Sequence, residues 1–210
     1  MTPLRAARLA MLTRCNGQAY AVPVYRKDLI AMALFTYVDN SNVWIEGMRI
    51  SAVRKGLVAD IAEASERGVT DSSWNYSFGG LYEAVCPADL IEIGRAALFG
   101  SYKPPKDDVI WKFAERPGFD VVLFERQYGE KQVDVEVALQ MSDDSRDLMQ
   151  PGDKVVLVSG DQDFVPAISR LADRGFPTTV VFWEHATATA LREAAADFFP
   201  LDPVFDRLTR

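Results

Sequence analysis

Histidine and cysteine are scarce in this chain, and their scarcity removes whole classes of chemistry. There is one histidine, His185, in 210 residues. A multi-histidine zinc site is therefore excluded, and a Ser-His-Asp or Cys-His mechanism would have to use that one side chain. Glu184-His185 follows an apolar run and reads as a loop pair without a catalytic partner. The two cysteines, Cys15 and Cys86, have neither metal-binding spacing nor the pattern of a disulfide framework, which fits a reducing, cytoplasmic setting. No apolar run approaches the roughly 20 residues that a membrane-spanning helix needs. A Walker-type glycine loop is missing, so nucleotide hydrolysis of that kind is disfavoured. An excess of basic residues is missing too. Against 23 Lys and Arg stand 30 Asp and Glu, a formal net charge of -7. That balance speaks against a tight, passive binder of nucleic acid. It speaks less against a metal-dependent enzyme, because a bound cation inverts the local field.

Carboxylates are what the chain has in abundance, and one stretch places two of them together. Residues 155–158 (Val-Val-Leu-Val) form an unbroken apolar run, as expected of a strand buried on both faces of a parallel sheet. Ser159 and Gly160 end it. Phe164, Val165, Ile168 and Leu171 then recur at helical spacing. Asp161 and Asp163 thus fall between the carboxyl end of a strand and the start of a helix, where open α/β sheets place their ligand crevice. Two carboxylates in so small a turn repel unless a positive charge lies between them. The plainer alternative makes Asp163 the N-cap of the helix, with Pro166 in its first turn.

Residues 33–38 (Ala-Leu-Phe-Thr-Tyr-Val) are a second strand of this kind, ending at Asp39. Asp39 reads equally as a turn residue or cap, among the turn formers Asn40, Ser41 and Asn42. A helix is expected over residues 50–67, with Val53, Leu57, Ile61 and Ala64 on its buried side and Gly68 as its stop. Further strands are expected near 90–99, 119–124 and 178–183. Helices are expected over 109–116, 133–149, 164–174 and 188–196. The helix over 133–149 starts beside Asp134 and should bury Val135, Leu139 and Met141 or Ser142. Residues 197–202 read as a tail.

Strands alternating with helices predict an α/β fold with a parallel sheet flanked by helices and right-handed crossovers. Residues 1–31 read as a disordered or loosely packed extension, lacking the long apolar core of a secretory signal. Residues 32–210 read as the domain. Within it, residues 69–89 form a turn-rich insertion carrying Trp74, Tyr76, Phe78 and Tyr82. These aromatics serve either base stacking or the packing of their own loop, and packing is the preferred reading.

A parallel sheet gathers all strand carboxyl ends on one edge. Asp39, Asp134, Asp161 and Asp163 can therefore converge. Four oxygen ligands without histidine or thiolate select Mg²⁺ or Mn²⁺ over zinc. Such a site activates water and clamps phosphate oxygens, the logic of phosphodiester hydrolysis.

Three segments then carry a family resemblance: Tyr37-Val-Asp39-Asn-Ser-Asn42, Lys131-Gln-Val-Asp134-Val, and Val158-Ser-Gly-Asp161-Gln-Asp163-Phe164. Together they resemble the NYN domain, a branch of the PIN-like superfamily that includes the LabA and DUF88 proteins. The resemblance runs over about 34–202, and the Ser-Gly-Asp-x-Asp-Phe segment is its most specific part. It implies a PIN-like Rossmannoid fold and metal-dependent ribonuclease activity on RNA. It carries over Asp39, Asp134, Asp161 and Asp163 as the acidic metal cluster. Asn42 matches an asparagine that orients the first aspartate or touches phosphate, and Lys131 matches a basic residue before the second. Arg126, Lys131 and Lys103 are then candidates to steer phosphate. Where family members often carry a further aspartate in the same helix, this chain has Gln140, with Asp143 and Asp144 just beyond. The competing expectation is a non-catalytic RNA-binding or regulatory module of the same fold. Oligomeric state, including a homo-oligomer, is left open by the sequence.

Overall fold

A computed structural model describes residues 9–15, 18–24, 32–87, 91–102, 108–125 and 131–210. The chain divides into two compact units, Met1–Met32 and Ala33–Arg210. The first contains an antiparallel hairpin of β1 (Leu9–Cys15) and β2 (Gln18–Val24).

The second unit runs β3 (Ala33–Asp39), α1 (Asn40–Arg54), α2 (Ile61–Glu66), α3 (Phe78–Val85), β4 (Glu92–Tyr102), α4 (Asp108–Glu115), β5 (Asp120–Glu125), α5 (Lys131–Asp147), β6 (Lys154–Val158), α6 (Val165–Asp173), β7 (Thr178–Phe182), α7 (Thr189–Ala194) and β8 (Asp197–Pro200). Among the described residues, six strands form one sheet in the order β5-β4-β3-β6-β7-β8. Every pairing is parallel. The fold is thus α/β, as the alternation of elements predicts. From β3 the chain builds outward to β5, then returns to lay β6 on the other side of β3. That reversal opens a crevice at the carboxyl ends of β3 and β6, the usual ligand position of an open α/β sheet.

Side-chain alternation sorts the strand residues between two cores. Phe35, Tyr37, Val155 and Leu157 face a core closed by Val133, Val137 and Met141 of α5 and by Ile168, Leu171 and Leu191. Val38 and Val158 face the opposite core, with Val43 of α1, Leu81 and Val85 of α3, and Trp111 of α4. The apolar runs of β3 and β6 are hydrophobic throughout because both faces are covered.

Four local expectations change. The helix expected over 50–67 is two helices: Asp39 caps α1 at its start, and Gly56 takes a left-handed φ of 70° that α1 cannot continue through. Leu57, expected in the core, is exposed. In α5 the buried stripe is Val133, Val137 and Met141, at i, i+4 spacing, while Val135 and Leu139 face outward. Residues 197–200 are not tail but β8, an edge strand beside β7, where a terminal proline is tolerated. Within the aromatic insertion, Trp74, Tyr76 and Phe78 are buried in the core, so the loop is packed by its own rings.

Candidate metal centre

Asp39 is the last residue of β3 and the N-cap of α1, with the extended φ of -82° and ψ of 94° that a cap requires. Its Oδ1 accepts from the Asn42 backbone N–H at 3.3 Å, and its Oδ2 accepts from Asn42 Nδ2 at 2.8 Å. Ser159, one residue past β6, donates its Oγ–H to the same Oδ2 at 3.4 Å. The carboxylate is only 3% exposed. Burial raises its pKa above the ordinary 3.8; the three hydrogen bonds oppose the rise, and the neighbouring Asp161 charge adds to it. Among the described residues, the donors to Asp39 are neutral. Beside it, Asn40 Oδ1 is buried and has no hydrogen-bond partner among the described residues.

Asp161 follows Gly160 at the mouth of the crevice. Its backbone N–H donates to Ser159 Oγ at 3.3 Å, and its Oδ1 accepts from the Asp163 N–H at 2.9 Å. Asp161 therefore caps the single 3-10 turn Gln162–Phe164 that leads into α6. The cap expected at Asp163 belongs to Asp161. Gly160 is needed for space: a Cβ there would lie 2.2 Å from the Ala186 carbonyl oxygen and 2.5 Å from the Phe182 ring. The close approach fixes the turn against the loop after β7.

Asp39, Asp134 and Asp161 line one cavity of about 120 Å³, together with Ser41, Asn42, Ile45 and Val133. Asp134 reaches it because Val133 anchors the first turn of α5 in the core, leaving the next residue at the rim. Asp163 is exposed and does not line this cavity. Among the described residues, no group of three or more His, Cys, Asp or Glu side chains is close enough to hold an ion together. The four expected acids thus resolve into three around one cavity, of which Asp39 and Asp161 interact electrostatically, and one outside it. Arg126 and Lys103 lie outside the described residues, as does the Lys131 side chain.

Gln140, Asp143 and Asp144 are accounted for elsewhere. Gln140 Nε2 donates to Asp144 Oδ1 at 2.9 Å, and Tyr37 Oη donates to Asp144 Oδ2 at 2.7 Å. Arg95 of β4 forms an ion pair with the same oxygen, Nε to Oδ2 at 2.5 Å. Asp143 pairs with Arg146 on the surface of α5. Asp144 is a tie between α5 and the sheet and does not line the cavity.

Two residues escaped the sequence reading. Ser159 bridges Asp39 and Asn42, and its only signal was its place directly after the β6 run. Glu46 Oε2 accepts from His185 Nε2–H at 3.1 Å. This gives the lone histidine a partner and ties α1 to the loop after β7. Burial pushes the Glu46 carboxyl up, but hydrogen bonds from His185 and Arg49 outweigh it and hold it below the usual range.

Comparison with known proteins adds three findings. Residues 40–202 match the family model described as the NYN domain. A search of curated proteins returns no match. Among solved structures, a protein of unknown function from Vibrio parahaemolyticus superposes with a TM-score of 0.60 at 20% identity, covering 86% of this chain and 97% of that one. That likeness concerns the fold alone. Among the described residues, no helix is long and apolar enough to cross a membrane.

Proposed function

The chain belongs to the NYN family of the PIN-like superfamily, and from that premise we propose that it is a Mg²⁺- or Mn²⁺-dependent ribonuclease acting on single-stranded RNA. Family membership itself suggests a nuclease-like function. The observation that carries the finer reading is Asp39: a carboxylate sealed at the switch point of the sheet, held among the described residues by neutral donors, and raised in pKa by burial with a second carboxylate adding to the rise. Among the described residues no positive charge answers this pair, and an oxygen-only donor set suits a hard divalent cation. Mg²⁺ is commonly held by one or two carboxylates while it keeps several waters and substrate phosphates. A three-carboxylate cage is therefore not required. Asp39 and Asp161 would hold the ion, and Asp134 lines the same cavity. The chemistry supplied is activation of water and neutralisation of charge on phosphate oxygens.

The chain's own residues do the positioning. Asn42 and Ser159 fix the Asp39 carboxylate. The cap on the 3-10 turn fixes Asp161. Asp134, which lines the same cavity, would orient a water. The competing reading, a module that binds RNA without cleaving it, draws on Gln140, whose amide serves buried Asp144 where related chains often have an acid.

The test is cleavage of a labelled single-stranded RNA with Mg²⁺, with Mn²⁺ and with EDTA, for the wild-type chain and Asp161→Asn. Asparagine caps about as well as aspartate, so this variant keeps the turn and loses the charge. Cleavage that needs metal and drops at least about 100-fold in Asp161→Asn is expected, on the scale of one lost electrostatic contribution to catalysis. Full activity in EDTA overturns the metal mechanism.

A further inference from the structure

Next to the acidic cavity lies a second concavity of different chemistry. Ser41 and Ile45 of α1 line the acidic cavity, and Trp44 lines the second. Residues three apart on a helix are surface neighbours one turn on, a rise of about 5.4 Å per turn. The two cavities therefore share a wall. Trp44 is 36% exposed, whereas Trp74, Tyr76 and Phe78, which form the floor, are buried. The far wall is Phe113 of α4 and Arg210.

Charge gathers here against the trend of the chain. The Arg116 guanidinium lies 4.8 Å and that of Arg210 5.3 Å from the Phe113 ring centre. Two cations thus flank one aromatic ring on a molecule of net charge -7. The Tyr76 hydroxyl is buried and has no hydrogen-bond partner among the described residues. The volume is about 280 Å³, just below that of sites for drug-sized ligands, roughly 300–1,000 Å³. It suits one planar ring system.

We propose that this groove is a base-stacking subsite: the exposed ring of Trp44 takes one nucleobase of a single-stranded RNA, beside the Arg210 guanidinium, and the RNA backbone passes the Asp39–Asp161 cavity. The inference rests on the ribonuclease reading for the identity of the strand, and adds where the strand is gripped. Aromatic platforms beside arginines are the chemistry that holds single strands without reading sequence. The subsite is sequence-tolerant, because every base has a π-face.

The test is binding without turnover. A fluorescein-labelled uridine octamer is titrated in EDTA with the full chain, Trp44→Ala and Trp44→Phe. Trp44→Ala is expected to bind about 5- to 100-fold more weakly, the range for one lost base–aromatic stack. Trp44→Phe is expected to restore most of that. An octamer of abasic ribose phosphates should bind the wild-type chain as weakly as uridine RNA binds Trp44→Ala. Matching thermal melts for Trp44→Ala and wild type check that the fold is kept. Equal affinity of Trp44→Ala and wild type for the octamer overturns the subsite and leaves the nuclease reading standing. Binding that depends on Trp44, with no cleavage under any metal, supports the subsite while the nuclease reading falls. Failure of the octamer to bind at all overturns the subsite.

Discussion

Asp39 and Asp144 are both sealed carboxylates, 3% and 2% exposed, and their surroundings differ in charge. Asp144 has an arginine, a phenol and an amide around it. Its charge is matched inside the protein, and the phenol of Tyr37 is pushed well above its usual range by burial and by that hydrogen bond. Asp39 has an amide and a serine, and the charged group that acts on it is another carboxylate. One acid is matched by an arginine of the fold; among the described residues the other is not. The lesson is that burial alone does not mark a functional acid; what separates the two, among the described residues, is a positive charge beside one and not the other.

Breaking Asp144 should give the largest effect. Asp144→Ala leaves Arg95 and the Tyr37 hydroxyl without their partner. Loss of one member of a buried ion pair costs about 3–5 kcal/mol. The Arg95 side chain keeps 25% exposure, so the low end, about 3 kcal/mol, is expected from urea denaturation.

Asp39→Asn should behave in the opposite sense. Without divalent cation the variant is expected to match or exceed wild type in stability, because asparagine still caps α1 and the repulsion with Asp161 is gone. With Mn²⁺ at about a hundredfold excess over its dissociation constant, wild type should gain about 2.7 kcal/mol, and Asp39→Asn much less. Paired thermal melts read both. An undiminished Mn²⁺ shift in the variant would remove Asp39 from the site.

A smaller effect follows with pH. The folded-state pKa of Asp39 is raised above 3.8, so between these two values the native state binds more protons than the unfolded one. Stability without metal should therefore fall as pH rises through that window. Lowering the pH through it should also weaken the Mn²⁺ shift, as protons compete with the ion. Denaturation series on wild type and Asp39→Asn test this; the variant should lack that component of the slope.

The smallest effect is expected at Asp163. It is exposed and is not the cap. Asp163→Asn should change stability by no more than about 0.5 kcal/mol and should lower cleavage far less than Asp161→Asn. Equal losses in the two variants would place Asp163 in the site after all.

Much of this comparison was legible before the fold was known, and the part that was not has a common cause. The apolar runs of β3 and β6 declare doubly covered parallel strands, and parallel strands bring their ends to one edge. Asp39 and Asp161 follow from that. Val135 and Leu139 misled the phase of α5 because apolar residues also occupy its outer face. Gln140 looked like a gap in the acidic cluster because its true partner, Asp144, is itself tied to Arg95 and Tyr37 from two other strands. Ser159 and the Glu46–His185 tie depend likewise on contacts between distant segments, which no local pattern encodes. β8 was missed because four residues ending in proline carry too little strand signal.

The strand order has one more consequence, for a chain emerging from the ribosome. Asp39 and Ser159 are 120 residues apart in sequence, and β4 and β5 are made long before β6. The growing chain can pair β3 with β4 early, but the opposite edge of β3 stays open, a hydrogen-bonding template beside Phe35 and Tyr37. Only when β6 and the turn behind it have been synthesised do the two carboxylates meet. A nascent fragment that ends before β6 therefore lacks the Asp39–Asp161 pair, which is complete only when most of the chain has been translated.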